Sequence, residues 1–383
     1  MAAKRSLFLS SIFSRSVSSM ESFEAYISHP AVRIPYPKQQ VLALTKSRLL
    51  RDPPKAFSEY SDYRLDPSIW KEAICNSIIY ARNFEREISK DVKDDNEDEG
   101  HPAAGYQFNL FANIIKNLLS LAKEEDLDSL KNLHFIGNPP VDSTWQLMDG
   151  PLVGVRGKFQ GTLVKSKKPF GPFFNSDEVD ILENSLGWTE KELDEMGKKR
   201  ILLSLNKSQV QISPPIPISS FNFPYIHTLV FIDDLRLDED QLIQRATLSL
   251  HGLLLEQARA KVGPTGGLGG LGILPEPECA QAIITDGQRF TFMWYQLNTA
   301  DFRNLSSGPR NFLVVQQAGN LYRRIINTTE RFYQSRSSRR TVHRSDYEKL
   351  KQNRMQRANQ RSRQVDDFND EIFSALLSMF LWN

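Results

Sequence analysis

Three groupings in the sequence could carry chemistry. Asp233-Asp234, with Asp286 and His227 elsewhere in the chain, could hold a divalent cation and polarise a phosphate ester, as oxygen ligands do in phosphohydrolases. Gly267, Gly269 and Gly272 spell G-x-G-x-x-G, which lets backbone amides approach a pyrophosphate when it joins a strand to a helix. The third grouping is basic. From Arg323 to Arg363 there are thirteen Lys or Arg and three acidic residues, a surplus of ten positive charges. Eleven of the thirteen are arginines: Arg323, Arg324, Arg331, Arg336, Arg339, Arg340, Arg344, Arg354, Arg357, Arg361 and Arg363. Their planar guanidinium forks fit phosphates and stack on unpaired bases, and Phe332, Tyr333 and Tyr347 add stacking faces.

Context separates the three. The glycine run follows a helical pattern and leads into Ile273-Leu274-Pro275-Glu276-Pro277, which cannot open a helix, so a turned loop is expected and not a dinucleotide site. Asp286 precedes Gly287 in a hairpin signal, and Asp233-Asp234 stand where a strand gives way to a loop; both are ordinary structural places for Asp. The six histidines form neither HxxxH nor HExxH, and no P-loop or G-x-S-x-G elbow occurs. Hence no catalytic residue, metal ligand or cofactor is expected. The two cysteines, Cys75 and Cys279, exclude a disulfide scaffold.

The arginine-rich stretch reads as an RNA-binding insert, because such segments commonly order on RNA; the alternative is a solvated polar tail. The first twenty residues carry Lys4, Arg5 and Arg15, many serines and no acid, with Leu9, Ile12, Phe13 and Val17 at helical spacing. That composition predicts a mitochondrial transit peptide over 1–20. Without it the formal charge falls from +2 to −1, so everything outside the insert sums to −11. No apolar run reaches the length of a membrane-spanning helix.

The elements that would position these groups follow from periodicity. Residues 21–66 read as an extended arm through His29–Pro37 and a short basic amphipathic segment, Val41 to Leu50, stopped by Pro53-Pro54. Residues 67–212 read as a mixed region, with helices over Pro67–Ile88 and around Phe108–Ala122, an acidic loop from Asp91 to Gly100, short strands from Leu133 to Leu163, an aromatic turn at Phe170–Phe174 and an amphipathic helix over Asp177–Lys199. Pro214-Pro215-Ile216-Pro217 is the expected internal boundary. Residues 218–322 hold a buried strand at Ile226–Ile232, a long helix over Asp238–Val262 and a hairpin of Gln281–Thr285 and Arg289–Leu297 joined through Asp286-Gly287. The insert occupies 323–366, and a closing helix from Asn369 to Trp382 lies in 367–383. The fold class is therefore α+β (mixed α/β): amphipathic helices on a mostly antiparallel sheet that includes the C-terminal hairpin, with an extended N-terminal arm and a basic C-terminal insert.

At the hairpin the sequence resembles a known family. Thr285-Asp286-Gly287, the aromatic strand through Phe290, Phe292, Trp294 and Tyr295, and Gln296-Leu297-Asn298-Thr299 closely resemble the C-terminal signature shared by mitochondrial large-subunit ribosomal protein thirty-seven and small-subunit protein thirty, or programmed cell death protein nine. Arg310-Asn311 and Leu321-Tyr322 match downstream. Leu44-Thr45-Lys46 before Leu49, Trp145 followed by Val155-Arg156-Gly157, His227-Thr228-Leu229, Gln241-Leu242 and Gln257-Ala258-Arg259 favour the thirty-seven branch. Ile226 stands where that branch usually has proline, and the basic stretch is longer and richer in arginine than the family's connection.

The resemblance implies a non-catalytic protein of the large mitoribosomal subunit in the matrix, touching large-subunit ribosomal RNA and neighbouring mitoribosomal proteins, including the paralogous protein thirty. RNA contact by the eleven arginines is an inference from composition and not a family property. Two alternatives from other classes stay open: an RNA-binding assembly or translation factor, and a metal-dependent phosphohydrolase using Asp233, Asp234 and Asp286.

Overall fold

The computed structural model describes residues 37–61, 71–81, 113–114, 117, 132–137, 139–147, 152–158, 161–175, 177, 179–184, 201–204, 222–232, 239–262, 272–305, 307–327 and 363–382. The predicted transit peptide, the arm up to residue 36, the acidic loop and the Pro214–Pro217 stretch lie outside them. The strands are β1 (Ser47–Leu50), β2 (Leu133–Gly137), β3 (Pro140–Gln146), β4 (Leu152–Lys158), β5 (Gly161–Ser166), β6 (Ile181–Glu183), β7 (Ile201–Ser204), β8 (Tyr225–Ile232), β9 (Ile273–Thr285), β10 (Arg289–Thr299), β11 (Asn311–Asn320), β12 (Arg324–Asn327) and β13 (Arg363–Asp366). The helices are α1 (Pro37–Leu44), α2 (Lys55–Ser61), α3 (71–81), α4 (Glu239–Val262) and α5 (Asp370–Leu381).

Eight strands form one sheet in the order β2-β5-β8-β9-β10-β11-β1-β6. Its pairings are antiparallel except β8 with β9 and β11 with β1, which are parallel. The β8–β9 pair is parallel because α4 carries the chain back between them, the connection a parallel pair requires. The β11–β1 pair joins segments about 260 residues apart, so periodicity held no trace of it. The architecture is thus α+β on a mixed sheet. Strands from both sides of Pro214–Pro217 lie in this one sheet, β5 pairing directly with β8, while β3, β4 and β7 form a separate three-stranded sheet.

Both faces of the sheet are covered. Along β10, Phe290, Phe292 and Trp294 enter one core with α2, α3 and α5, while Met293, Tyr295 and Leu297 enter the other with α1, α4 and the small sheet β3-β4-β7. Burial on both faces explains why β8 and β10 read as nearly continuous apolar runs rather than alternating ones. Each wholly buried Phe, Leu or Ile contributes about 1.5–3 kcal/mol of transfer free energy. On α4, Leu242, Ala246, Leu250, Leu253, Leu254 and Ala258 are buried, as the helical spacing predicted. On α5, Asn369 caps the N-terminus, its side chain accepting from Glu371 N (3.0 Å) and Ile372 N (3.1 Å).

Several elements differ from the expectation. Val41 to Leu50 is not one segment: α1 ends at Leu44, Lys46 takes a left-handed φ of 49°, and β1 follows, because pairing with β11 outweighs the helical pattern. Within the predicted helix over Asp177–Lys199, Ile181–Glu183 is a strand that adds to the edge of the sheet beside β1, and residues 185–200 lie outside the described ones. Strand β9 begins at Ile273 and runs through Pro275 and Pro277. This is tolerated because the register with β10 shifts there and β8 joins only from Gln281 onward, leaving those prolines with no ladder bond to donate. The hairpin loop is also longer than two residues, since Thr285 and Phe290 form its closing pair.

Candidate nucleic-acid interface and the signature node

The basic stretch leaves and re-enters the fold at one place. Strands β12 and β13 pair antiparallel, Arg324 opposite Asp366 and Asn327 opposite Arg363, so the chain between them is an excursion closed at its root. Ile325 and Val365 pack against the α5-side core. Leu321 N donates to Gln288 O (2.8 Å), Gln288 Nε2 donates to the carbonyls of Tyr322 and Arg323 (2.9 Å each), and Asn369 N donates to Leu321 O (2.8 Å). The root is therefore tied both to the hairpin turn and to the cap of α5.

Of the eleven nominated arginines, the described residues include Arg323, Arg324 and Arg363; Arg331, Arg336, Arg339, Arg340, Arg344, Arg354, Arg357 and Arg361 lie outside them. Arg323 and Arg324 are exposed. Arg324 Nε meets Asp366 Oδ2 at 3.0 Å, with the arginine side chain 68% exposed. An exposed pair of that kind is worth at most about 1 kcal/mol, so a phosphate can displace the carboxylate.

The signature residues converge on hydrogen bonds. In the turn, Thr285 Oγ1 accepts from Gly287 N (2.9 Å), while Asp286 Oδ1 accepts from Gln288 N (2.9 Å) and Arg289 N (2.6 Å). Gly287 has φ 88°, a conformation that needs a residue without Cβ. Gln296 staples the aromatic turn to the sheet: its Oε1 accepts from Phe173 N (2.7 Å) and Phe174 N (2.9 Å), and its Nε2 donates to Phe174 O (3.0 Å) and Asn298 Oδ1 (2.7 Å). Leu297 is wholly buried in the α4-side core.

Asn311 is the centre of the node. Its Oδ1 accepts from Asn298 N (2.8 Å) and Thr299 N (2.9 Å), its Nδ2 donates to Thr45 O (2.8 Å), and its backbone N donates to Lys46 O (3.0 Å). Asn298 Nδ2 in turn donates to Arg310 O (2.7 Å). Thus Leu44-Thr45-Lys46, Gln296 to Thr299 and Arg310-Asn311, separate patches in sequence, are one structural unit. Trp145 joins it by donating Nε1–H to Leu44 O (2.8 Å).

The same region holds a chain of polar groups that mimics a catalytic relay: His251 Nδ1 lies 2.9 Å from Tyr295 Oη, which lies 3.0 Å from Ser47 Oγ, itself 2.8 Å from Thr45 Oγ1. All four side chains are wholly buried, so no substrate reaches them and the arrangement is structural. Asp286 is a turn residue, Asp233 and Asp234 lie outside the described residues, and no group of three metal-ligating side chains occurs among the described residues. Burial pushes the Cys279 thiol up to about 12. Gly272, the last glycine of the run, opens a strand and not a helix.

Burial also depresses His227 to about 4 and His251 to about 3, the latter helped by the positive charge of Arg259. His227 Nε2–H donates to Trp382 O (3.0 Å), which offsets only part of the burial effect. Both imidazoles are neutral in the fold at pH 6, whereas the unfolded chain binds protons below about 6.5. Stability should therefore fall as pH drops from about 6.5 toward 4, by about 1 kcal/mol per histidine at pH 5.5. Urea unfolding at pH 7.5 and 5.5 measures this; His251→Gln should flatten the dependence, and an unchanged pH slope in that variant would contradict the assignment.

Three cations border the node. Lys46, Arg310 and Arg48 come from the α1–β1 corner, the residue before β11 and β1 itself, brought side by side by the parallel β1–β11 register. Burial lowers the Lys46 ammonium, Asp301 opposes that, and Arg310 adds to it; burial and then Arg48 lower Arg310. Lys46 and Arg310 stand in the motif patches read from sequence, but nothing there placed their charges together, because a pairing over 260 residues leaves no local signal.

Comparison with known proteins bears on the same segments. The family model of mitochondrial 28S ribosomal protein S30 (PDCD9) matches residues 267–383, which include the hairpin, the Gln296–Thr299 strand, Arg310-Asn311 and the basic insert. The large ribosomal subunit protein mL37 of Gallus gallus is 24% identical over 310 residues, 78% of this chain and 65% of that protein. The mL37 proteins of Bos taurus and Rattus norvegicus are each 25% identical, over 78% and 75% of this chain. The chain spans about 65% of the length of these relatives.

Proposed function

We propose that this chain, a distant homologue of mL37 and of the S30 (PDCD9) family, is a structural protein of the mitochondrial ribosome's large subunit, working in the matrix without catalysis or cofactor. The homology over 78% of the chain carries the reading. Its partners would be large-subunit ribosomal RNA and neighbouring mitoribosomal proteins, including the paralogous S30 protein. Contact with RNA would run through the basic excursion rooted at β12 and β13, with Arg323, Arg324, Arg331, Arg336, Arg339, Arg340, Arg344, Arg354, Arg357, Arg361 and Arg363 neutralising phosphates. Residues 1–20 would be its import signal. No described helix is long and apolar enough to cross a membrane.

In this account the fold's task is to present charge. The mixed sheet is the rigid base, the Gln288 and Asn369 contacts fix where the insert departs, and the insert supplies the phosphate contacts. Replacing Arg336, Arg339 and Arg340 with Glu tests the reading: incorporation into the large subunit should weaken while the fold persists. Unchanged incorporation would remove the insert from the RNA contact.

A further inference from the structure

We propose that the chain's own N-terminal arm, through Val32, Ile34 and Tyr36, fills an apolar groove between α1, α4 and the edge of the large sheet. The inference stands apart from the ribosomal reading, and it gives a place to the segment that follows residues 1–20.

The groove has a volume of about 230 Å³. An apolar cavity of about 150 Å³ already takes up benzene, so this one has room for branched or aromatic side chains. Leu42 of α1, Ile243 and Thr247 of α4 and Leu313 of β11 form its buried floor. The mouth is apolar as well: Leu49 and Val315 are half-buried, and Leu182 on β6 is 55% exposed. Leu182 is one of three large apolar side chains exposed among the described residues, and β6 ends the order of strands in its sheet. An apolar hollow that opens onto an exposed leucine at a sheet edge gains free energy when it is covered.

Continuity of the chain favours the arm as the occupant. Helix α1 begins at Pro37, one turn before Val41 and Leu42 in the groove wall, so the chain enters the helix about 6 Å along its axis from that wall. Upstream the sequence reads Ala31-Val32-Arg33-Ile34-Pro35-Tyr36-Pro37, with apolar side chains at 32, 34 and 36. Proline disfavours helical backbone at the residue before it, so Ile34 and Tyr36 are biased to extended backbone, in which alternate side chains share a face. Seated so, Val32, Ile34 and Tyr36 face the groove while Arg33 and Pro35 face solvent. From Val32 to Tyr36 an extended chain covers about 13 Å, at about 3.3 Å per residue, enough to turn back over Val41 and Leu42.

The test is disulfide trapping in the full chain carrying Cys75→Ser, which leaves buried Cys279 as the remaining native thiol. Ile34→Cys is paired with Gln317→Cys, an exposed position on the groove's rim. As control it is paired with Lys167→Cys, exposed just past the end of β5, a strand four places from β11 in the sheet. Mild oxidation should join Ile34→Cys to Gln317→Cys within one chain at least about tenfold faster than to Lys167→Cys, because a seated arm raises the local thiol concentration only at the groove. Ile34→Asp should lower the melting temperature by about 2–4 °C and Arg33→Asp should leave it unchanged, since only the first puts a charge into the groove. Equal trapping rates at the two positions would overturn the proposal. So would a disulfide joining two chains, which would give the groove to a second copy, or faster trapping of Gln317→Cys by Trp188→Cys, which would give it to the segment after β6.

Discussion

Asn311→Ala should destabilise the protein by about 3–5 kcal/mol, the largest loss expected from a single polar residue here. The side chain is wholly buried and makes three hydrogen bonds, and truncation leaves the amides of Asn298 and Thr299 without partners and takes from the Thr45 carbonyl one of its two donors, the other being Ser47 Oγ. Each buried group so stranded costs about 1–3 kcal/mol, more than the bond itself contributes, because its desolvation is no longer offset. The loss also loosens the attachment of β1, since Asn311 is where β11 meets the α1–β1 corner. Asn304→Ala is the matched control: Asn304 is exposed and its Oδ1 accepts from Ser307 N in a surface turn, so under about 1 kcal/mol is expected. Urea midpoints at constant m-value measure both. Equal, small shifts would mean that the convergence of the motif patches does not hold the fold together.

Reversing Arg336, Arg339 and Arg340 to Glu should lower RNA affinity at low salt by about 100-fold or more, while leaving the melting temperature near wild type. The change removes three cations and adds three anions in a segment whose net charge is +10. Three lost phosphate contacts should also flatten the salt dependence by about two to three units of slope, at roughly 0.7–0.9 per contact. Stability should be spared because the insert is anchored by its root, through Gln288, Leu321, Tyr322 and Asn369, and not by these three residues. A large fall in melting temperature would show that the insert belongs to the fold's packing. An unchanged salt slope would show that its charge does not meet phosphate.

How far the sequence leads depends on the range of the interactions involved. Helix α4 was legible almost to its ends, because its buried face repeats at helical spacing and needs no knowledge of what it packs on. The β9–β10 hairpin was legible because its pairing is local and its turn residues are specific. The edge strand Ile181–Glu183 was not: three residues carry no period, and it exists because β1 offers an open edge. Nor was the parallel β11–β1 pair, which joins opposite ends of the chain.

The site divides in the same way. Charge is additive along a sequence, so the basic insert stood out from a count of residues. Motif residues such as Asn311 and Gln296 were legible as a pattern, but their work, holding the backbone of remote segments, emerges only once those segments meet. The grouping of Lys46, Arg48 and Arg310 likewise depends on the β1–β11 register. His251, Tyr295, Ser47 and Thr45 show the converse: side chains that could be a relay in outline are, by burial, a core network.

The central claim, that this chain is built into the mitochondrial large ribosomal subunit, is tested most directly by sedimenting a mitochondrial lysate in Mg²⁺ and following the chain across the gradient at low and high salt. The account predicts co-migration with the large subunit that survives high salt, because burial against neighbouring proteins should outlast the screening of phosphate contacts. Residence near the top of the gradient at both salts would contradict it, and release by high salt alone would point instead to a factor that visits the ribosome without being part of it.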